Sequence, residues 1–315
     1  MPPVYNSVID RSDVGALIPE DVSRTIIQGL PASSVALTSF RRATMSRAQQ
    51  RLPVLSVLPV AYWVDGDTGL KQTTDQNWAN KYLDARELAV IVPIPQAVLD
   101  DVDFDIWGEV RPRLVEAFGA KIDAAALFGT DSPSGWPDSI VEAAIAAGNV
   151  VEVGESTGDI AADVNLVMGK VEEDGFDVNG FWARRGLKAA FRGLRDDNGQ
   201  PIFQPSLTAG TPGTLYGEPI LYPTNGAWDA AQADLIAGDT SAAILAVRQD
   251  ISYKILTEAV ISDADGKVVL NLAQQDAVAM RAVMRVAFQV ANPISLQNPT
   301  EGTRFPFAVL APAAP

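Results

Sequence analysis

Cysteine and histidine are both absent from the 315 residues. Without thiols there are no disulfides, no thiolate nucleophiles and no ordinary structural zinc site; without imidazole there is no Ser-His-Asp triad and no histidine metal ligand. Most hydrolase chemistry is excluded on those grounds. Apolar runs of the ~18 residues needed to span a bilayer are missing too. The N-terminus, MPPVYNSVIDRSDVGALIPED, has no basic stretch leading into an apolar one, so no secretory leader is expected. No Asn-X-Ser/Thr site free of proline occurs. The expectations are a cytoplasmic protein, no membrane partner and no cofactor.

Nucleotide cradles are missing as well. None of the seven lysines has a serine three positions upstream, Val follows both Gly169-Lys170 and Gly266-Lys267, and no Gly-X-Gly-X-X-Gly exists. The best metal candidate is Asp65-Gly66-Asp67-Thr68-Gly69, which begins like a calcium loop. It then puts Gly69 at a ligand position, Leu70 where the sharp turn needs glycine, and Gln76 where a bidentate Glu belongs. No metal site is expected there. With 39 acids in the chain, any carboxylate pair suited to glycoside hydrolysis is uninformative. An acidic carboxylate-based hydrolase or a calcium-binding module therefore stands only as an alternative from another functional class.

What is present is an ordinary globular composition, 47% apolar and 20% charged, with a net charge of −15. That charge opposes non-specific binding of nucleic acid by the protein as a whole, because neutralising phosphates takes clustered Lys and Arg. Its distribution is uneven. Residues 1–51 carry six Arg and four acids, a net of +2, which leaves −17 for the rest. Within them RRATMSRAQQR has four Arg (Arg41, Arg42, Arg47 and Arg51) and no acid. It reads as a locally basic arm on an acidic body or as a solvated loop.

Hydrophobic spacing then predicts the elements. IPEDVSRTIIQGLP, with Pro19 at its start and Gly29 and Pro31 after it, predicts a short helix in an extended arm. LPVLSVLPVAYWV (52–64) is rich in β-formers, and its prolines suit a two-stranded ribbon; ELAVIVPIP, alternating Leu88, Val90, Val92 and Ile94, is its expected partner. The polar connection between them is long for a compact domain. Trp107, Val110, Leu114, Phe118 and Ile122 make one helical stripe over about 103–128, with Pro112 expected to kink it and Asp100, Asp101, Asp103 and Asp105 crowding its start. Further expectations are helices at 140–150 and 159–174 and a strand end leading into a basic helix at 179–194. Turns fall at Asn198-Gly199 and Asp265-Gly266, with a helix or mixed stretch at 274–284 among C-terminal strands. The class is α+β.

GALIPEDVSRTIIQGLPASSVALTSFRRATMS followed by LPVLSVLPVAYWV resembles the N-terminal arm and hairpin entry of tailed-bacteriophage major capsid proteins with the Hong Kong 97-like fold. FDIWGEVRPRLVEAFGAKIDAAALFGTDSPSGWP resembles their long spine helix and the segment after it. FRGLRDDNGQPIFQPS, TLYGEPILYP, DLIAGDTSAAILAVRQDISYKIL and LAQQDAVAMRAVMRVAFQVANP continue the resemblance in order over nearly the whole chain. It implies an N-terminal arm (1–51), an extended E-loop hairpin (52–95), a P-domain with the spine helix (96–173), an A-domain (174–264), and a return to the P-domain with a C-terminal tail (265–315).

The resemblance implies a non-enzymatic shell protein. Copies would join as pentamers and hexamers into an icosahedral head around a double-stranded DNA genome, assembled in the bacterial host cytoplasm, with the E-loop lying over a neighbouring subunit. Portal and scaffolding proteins, and a decoration protein, are the partners it brings with it; no scaffold-like coiled coil precedes the arm, so a separate scaffolding protein is one expectation. An encapsulin-like nanocompartment shell is the alternative on the same fold. Tyr62, Trp63 and Trp78, of residue types enriched at interfaces, either anchor to a neighbour or pack across the ribbon. Lys71 is the lysine at the loop tip. Some family members bond such a lysine to an asparagine of a neighbour, which makes Lys71 with Asn292 or Asn298 a cross-link candidate. Arg41, Arg42, Arg47 and Arg51 are candidates to face packaged DNA.

Overall fold

The computed structural model describes residues 34–59, 61, 63, 73–101, 105–156, 159–194, 213–263 and 265–313. The helix expected at 19–29 and the turn at Asn198-Gly199 lie outside them. The chain divides into two compact units.

The larger unit holds residues 34–85, 119–248 and 287–313 of the described chain. At its centre is a six-stranded sheet in the order Val150–Glu152, Phe307–Ala311, Leu235–Gly238, Gly180–Ala183, Glu218–Leu221, Thr214–Leu215. Its middle strands are short apolar runs buried on both faces, as covered strands must be. One face packs Phe181, Ala183, Leu235, Ala237 and Leu310 against the helix Ile160–Glu173, whose Val164, Val167 and Val171 recur at the spacing of one helix face. That helix starts where Asp159 accepts the backbone N–H groups of Ala161 and Ala162. The helix Ile140–Ala147 starts on a capping box, Ser139 with Glu142, and ends at Gly148 in the left-handed conformation. Ile160–Glu173 falls where the spacing places it, whereas Ile140–Ala147 begins as expected and stops short of 150, because Gly148 ends it and Val150 opens a strand.

The smaller unit, within the described residues, comprises Arg86–Phe118 and Gln249–Val286. Here Arg86–Pro95 pairs antiparallel with the strand starting at Ala277, from Ala277↔Pro95 to Val286↔Arg86. Leu88, Val90 and Val92 meet Leu114 and Phe118 of the long helix together with Met280 and Ala282. That helix spans Ile106–Phe128 and runs through Pro112. A two-stranded ribbon, Val260–Ser262 with Val268–Asn271, turns at Asp265-Gly266 as expected; Gly266 has φ +80° and its N–H donates to Asp263 O.

Two expectations are corrected. ELAVIVPIP does not pair with the strand at 52–64. That strand, Gln49–Val57, pairs instead with Asn77–Asp84, from Gln49↔Asp84 to Val57↔Asn77. NWANKYLD carries too few apolar residues to stand out, whereas the alternating face of Arg86–Pro95 packs Leu88, Val90 and Val92 with Leu114, Phe118, Met280 and Ala282. The stretch 274–284 is not helical; Ala277–Val290 is one strand. Its Ala and Met residues favour a helix locally, but ten consecutive register pairs to Arg86–Pro95 outweigh that preference.

Candidate functional site

Two surfaces carry the residues that the sequence singles out. The first is the ribbon of Gln49–Val57 and Asn77–Asp84. Strand alternation puts Trp78, Asn80 and Tyr82 on one face opposite Leu55, Pro53 and Arg51. That face is open, with Trp78 60% and Tyr82 48% exposed; Val54 and Leu83, on the other side, are buried. Trp63 is 99% exposed and so does not pack across the ribbon. Tyr62 and Lys71 lie outside the described residues. Tyr82 was not singled out from the sequence, although an aromatic two strand repeats from Trp78 was a usable signal.

The ribbon rests on residues 289–304. Ile294 N–H donates to Leu55 O at 3.1 Å, Gln289 Nε2 to Tyr82 O at 3.2 Å, and Lys81 Nζ lies 3.1 Å from Glu301 Oε1. The supporting segment is held by buried Asp174, whose carboxylate accepts from Asn149 Nδ2 (2.8 Å), Phe305 N (2.9 Å) and Asn298 Nδ2 (2.6 Å). Asn292 and Arg304 bond reciprocally: Asn292 Nδ2 donates to Arg304 O at 2.6 Å and Arg304 Nε to Asn292 Oδ1 at 3.0 Å. Burial pulls the Arg304 guanidinium down from its usual range, while Glu301 and Asp174 oppose the shift. Both cross-link candidates therefore have their amide nitrogens engaged within the subunit. A cleft of about 430 Å³ lies beside this support, lined among others by Lys81, Trp136, Asn292 and Glu301. Its lining acids, Asp138 and Glu301, are matched in number by the bases Lys81 and Arg304.

The second surface is the basic segment. Arg41–Thr44 is a strand lying parallel to the start of Ala243–Leu256, with Arg41↔Ile244 and Thr44↔Val247 in register. Arg41, Arg42, Arg47 and Arg51 are all exposed. Arg42 Nε bonds Leu37 O at 2.8 Å. Just upstream, Ser34 caps the short helix Val35–Ser39. Phe40 then packs edge-on against Trp182, with ring centroids 5.6 Å apart, and beside Phe288.

Among the described residues no three potential metal ligands converge, and no helix is long and apolar enough to cross a membrane. Asp100 and Asp101 end a separate short helix, Gln96–Asp101, and Asp100 accepts from Gln96 Nε2. Asp65–Gln76, the calcium-like stretch, lies mostly outside the described residues.

Similarity to known proteins agrees with a shell and not with a hydrolase or calcium module. The family model described as the Phage capsid family matches residues 14–298. The "Major capsid protein" of Staphylococcus phage 80alpha is 27% identical over 297 residues, 92% of this chain and 87% of that protein. A solved chain from Microbacterium phage Oxtober96 superposes with a TM-score of 0.82 at 40% identity, covering 97% of this chain and 100% of its own. One from Mycobacterium phage Cain gives 0.81 at 31%, covering 97% and 99%. The α+β fold is accordingly Hong Kong 97-like. The chain belongs to the phage capsid family and has the role of a major capsid protein.

Proposed function

We propose that copies of this chain join as pentamers and hexamers into an icosahedral head enclosing double-stranded DNA, with the Gln49–Asp84 ribbon as the E-loop that lies on a neighbouring copy. The observation that carries this reading is the open face of that ribbon, where Trp78 is 60% and Tyr82 48% exposed, with Trp63, 99% exposed, in the connection between its strands. Large aromatics left in water on one face of a ribbon mark a surface meant to be covered. The chain functions without enzymatic activity, is assembled in the host cytoplasm, and works with portal, scaffolding and decoration proteins as its family partners.

Electron microscopy of the purified full chain tests the proposal: closed shells, rings or capsomers are expected, and a stable monomer at every concentration refutes it. Burying one large apolar side chain is worth about 1.5–3 kcal/mol, and tenfold in affinity is about 1.4 kcal/mol. Replacing both Trp63 and Trp78 by Ser should therefore weaken each contact by about a hundredfold or more and abolish shells. Circular dichroism should stay unchanged, because neither side chain contributes to the buried core. Shells formed normally by the double variant would remove the ribbon from the contact.

The four exposed arginines support a genome-facing arm. Substituting Arg41, Arg42 and Arg47 by Gln, with Arg51 kept because it shares the open ribbon face with Trp78 and Tyr82, should leave shell assembly intact and lower the DNA retained per particle, with a weaker salt dependence. Unchanged DNA content would count against it. Native particles filled with protein cargo instead of DNA would favour the nanocompartment reading.

The lysine–asparagine cross-link is the weakest part of the family inheritance. Lysine attack on Asn292 or Asn298 would have to break their existing hydrogen bonds. Boiling assembled shells in detergent should release a single monomer band; a ladder of covalent oligomers that disappears in Lys71→Arg would restore the bond.

A further inference from the structure

Asp123, on the long helix Ile106–Phe128, is fully buried, and four donors converge on it. Three come from one short stretch: Ser34 Oγ at 2.6 Å, Val35 N at 2.9 Å and Ala36 N at 2.9 Å. The fourth is Asn225 Nδ2 at 2.6 Å. No described cation pairs with the carboxylate. Burial pushes it above the usual carboxylate range, against the pull of these four bonds. One helical turn earlier, Gly119 leaves room for the same stretch: a Cβ there would sit 3.0 Å from Ser34 Cβ and 3.4 Å from Ser34 N.

A buried carboxylate is a poor choice for stability alone, since apolar residues of similar volume usually do as well or better. Its advantage is direction. Each oxygen takes one N–H of two consecutive peptide groups, and the Ser34 hydroxyl that caps Val35–Ser39 donates to the oxygen that also receives Ala36 N–H. Only one register and one chain direction satisfy all three bonds, and Phe40, set between Trp182 and Phe288, closes the far end of the same stretch.

We propose that Asp123 is a positioning residue, a latch that holds the root of the N-terminal segment against the long helix, so that the chain preceding Ser34 departs from one fixed point on every subunit. Thirty-three residues precede Ser34, enough to span roughly 110 Å if extended. A root free to swing would let that length start in many directions. Uniform shells from identical copies require that it does not.

Hydrogen exchange on the unassembled full chain tests the latch without relying on shell formation. In Asp123→Asn, whichever way the amide is oriented, its NH2 group faces donors that a carboxylate oxygen accepts in the native protein. Exchange at residues 35–40 is expected to rise at least tenfold, with residues 160–173 changing less than twofold. Asn225→Ala, which removes the fourth donor but leaves the three root bonds, should change exchange at 35–40 by less than threefold. Val164→Ala, placed in a separate part of the core, serves as the control for general destabilisation. Exchange that rises throughout the subunit in Asp123→Asn, or that does not rise at 35–40, overturns the latch. Where the native chain forms uniform shells, Asp123→Asn should give mixed sizes and open sheets; uniform shells from the variant would overturn the positioning role.

Discussion

Gly238→Ala is expected to destabilise the subunit by about 3 kcal/mol or more, beyond the usual 1–3 kcal/mol of an overpacked core. Gly238 ends the strand Leu235–Gly238 and is in register with Phe307 on one side and Gly180 on the other. A Cβ there would run into the Phe307 ring edge and Pro306 O, and would lie 2.9 Å from Phe307 Cα. Two of those three obstacles are backbone, and neither is free to retreat. Pro306 O accepts from Asp239 N–H at 3.0 Å, and Phe307 opens the strand Phe307–Ala311, paired on both sides. Relief would require separating the central strands of the sheet. Thermal unfolding should show a midpoint lower by on the order of 10 °C, with little soluble protein and no particles. A midpoint within 2 °C of the native value would mean that this pair of strands yields far more easily than its pairing implies.

Trp182→Ala carries the second large effect, about 3–5 kcal/mol by the cost of truncating a buried aromatic. Trp182 is completely buried in the strand Gly180–Ala183, its ring 5.6 Å from Phe40 and 5.9 Å from Phe307, and its Nε1 donates to Ser39 Oγ at 3.1 Å. Removing it opens a cavity between the sheet and the stretch that roots the N-terminal segment. Two changes should appear together in denaturant melts: a lower midpoint, and earlier loss of protection at residues 35–40 than in the helix Ile160–Glu173. Trp182→Phe keeps most of the volume and should recover more than half of the loss. Equal destabilisation by both variants would place the energy in the Ser39 hydrogen bond and not in packing.

Local signals explain the parts that were legible beforehand. Trp107, Val110, Leu114, Phe118 and Ile122 mark a helix because their spacing repeats every three and four residues, and the helix is there. Ile160, Val164, Val167 and Val171 behave likewise. Asp265-Gly266 turns the ribbon because glycine takes positive φ without strain. Strand partners had no such local mark. The sequence offered only ELAVIVPIP as partner for the strand at 52–64, because its alternation is strong; that segment pairs instead with Ala277–Val290 and packs on the long helix, and Asn77–Asp84 completes the ribbon. The shape of the ribbon support was equally hidden, since Asp174 reaches Phe305 across 131 positions and Asp123 reaches Ser34 across 89. A carboxylate among 39 acids carries no sign of the partner it will meet.

By itself the sequence determined the absences and the periodicities: no thiol or imidazole chemistry, an acidic body with a basic stretch at 41–51, an α+β class, and the serial order of segments shared with phage capsid proteins. These depend on residue identity and on neighbours within a few positions, so a linear reading reaches them. Only the tertiary structure decided which strand completes the ribbon, that Trp63 and Trp78 face away from their own core, that Asn292 and Asn298 are bonded within the subunit, and that Asp123 gathers the root of the N-terminal segment. Each of those depends on contacts between residues far apart in the chain. Competing burial and hydrogen bonding across the whole subunit select among pairings that are locally equivalent.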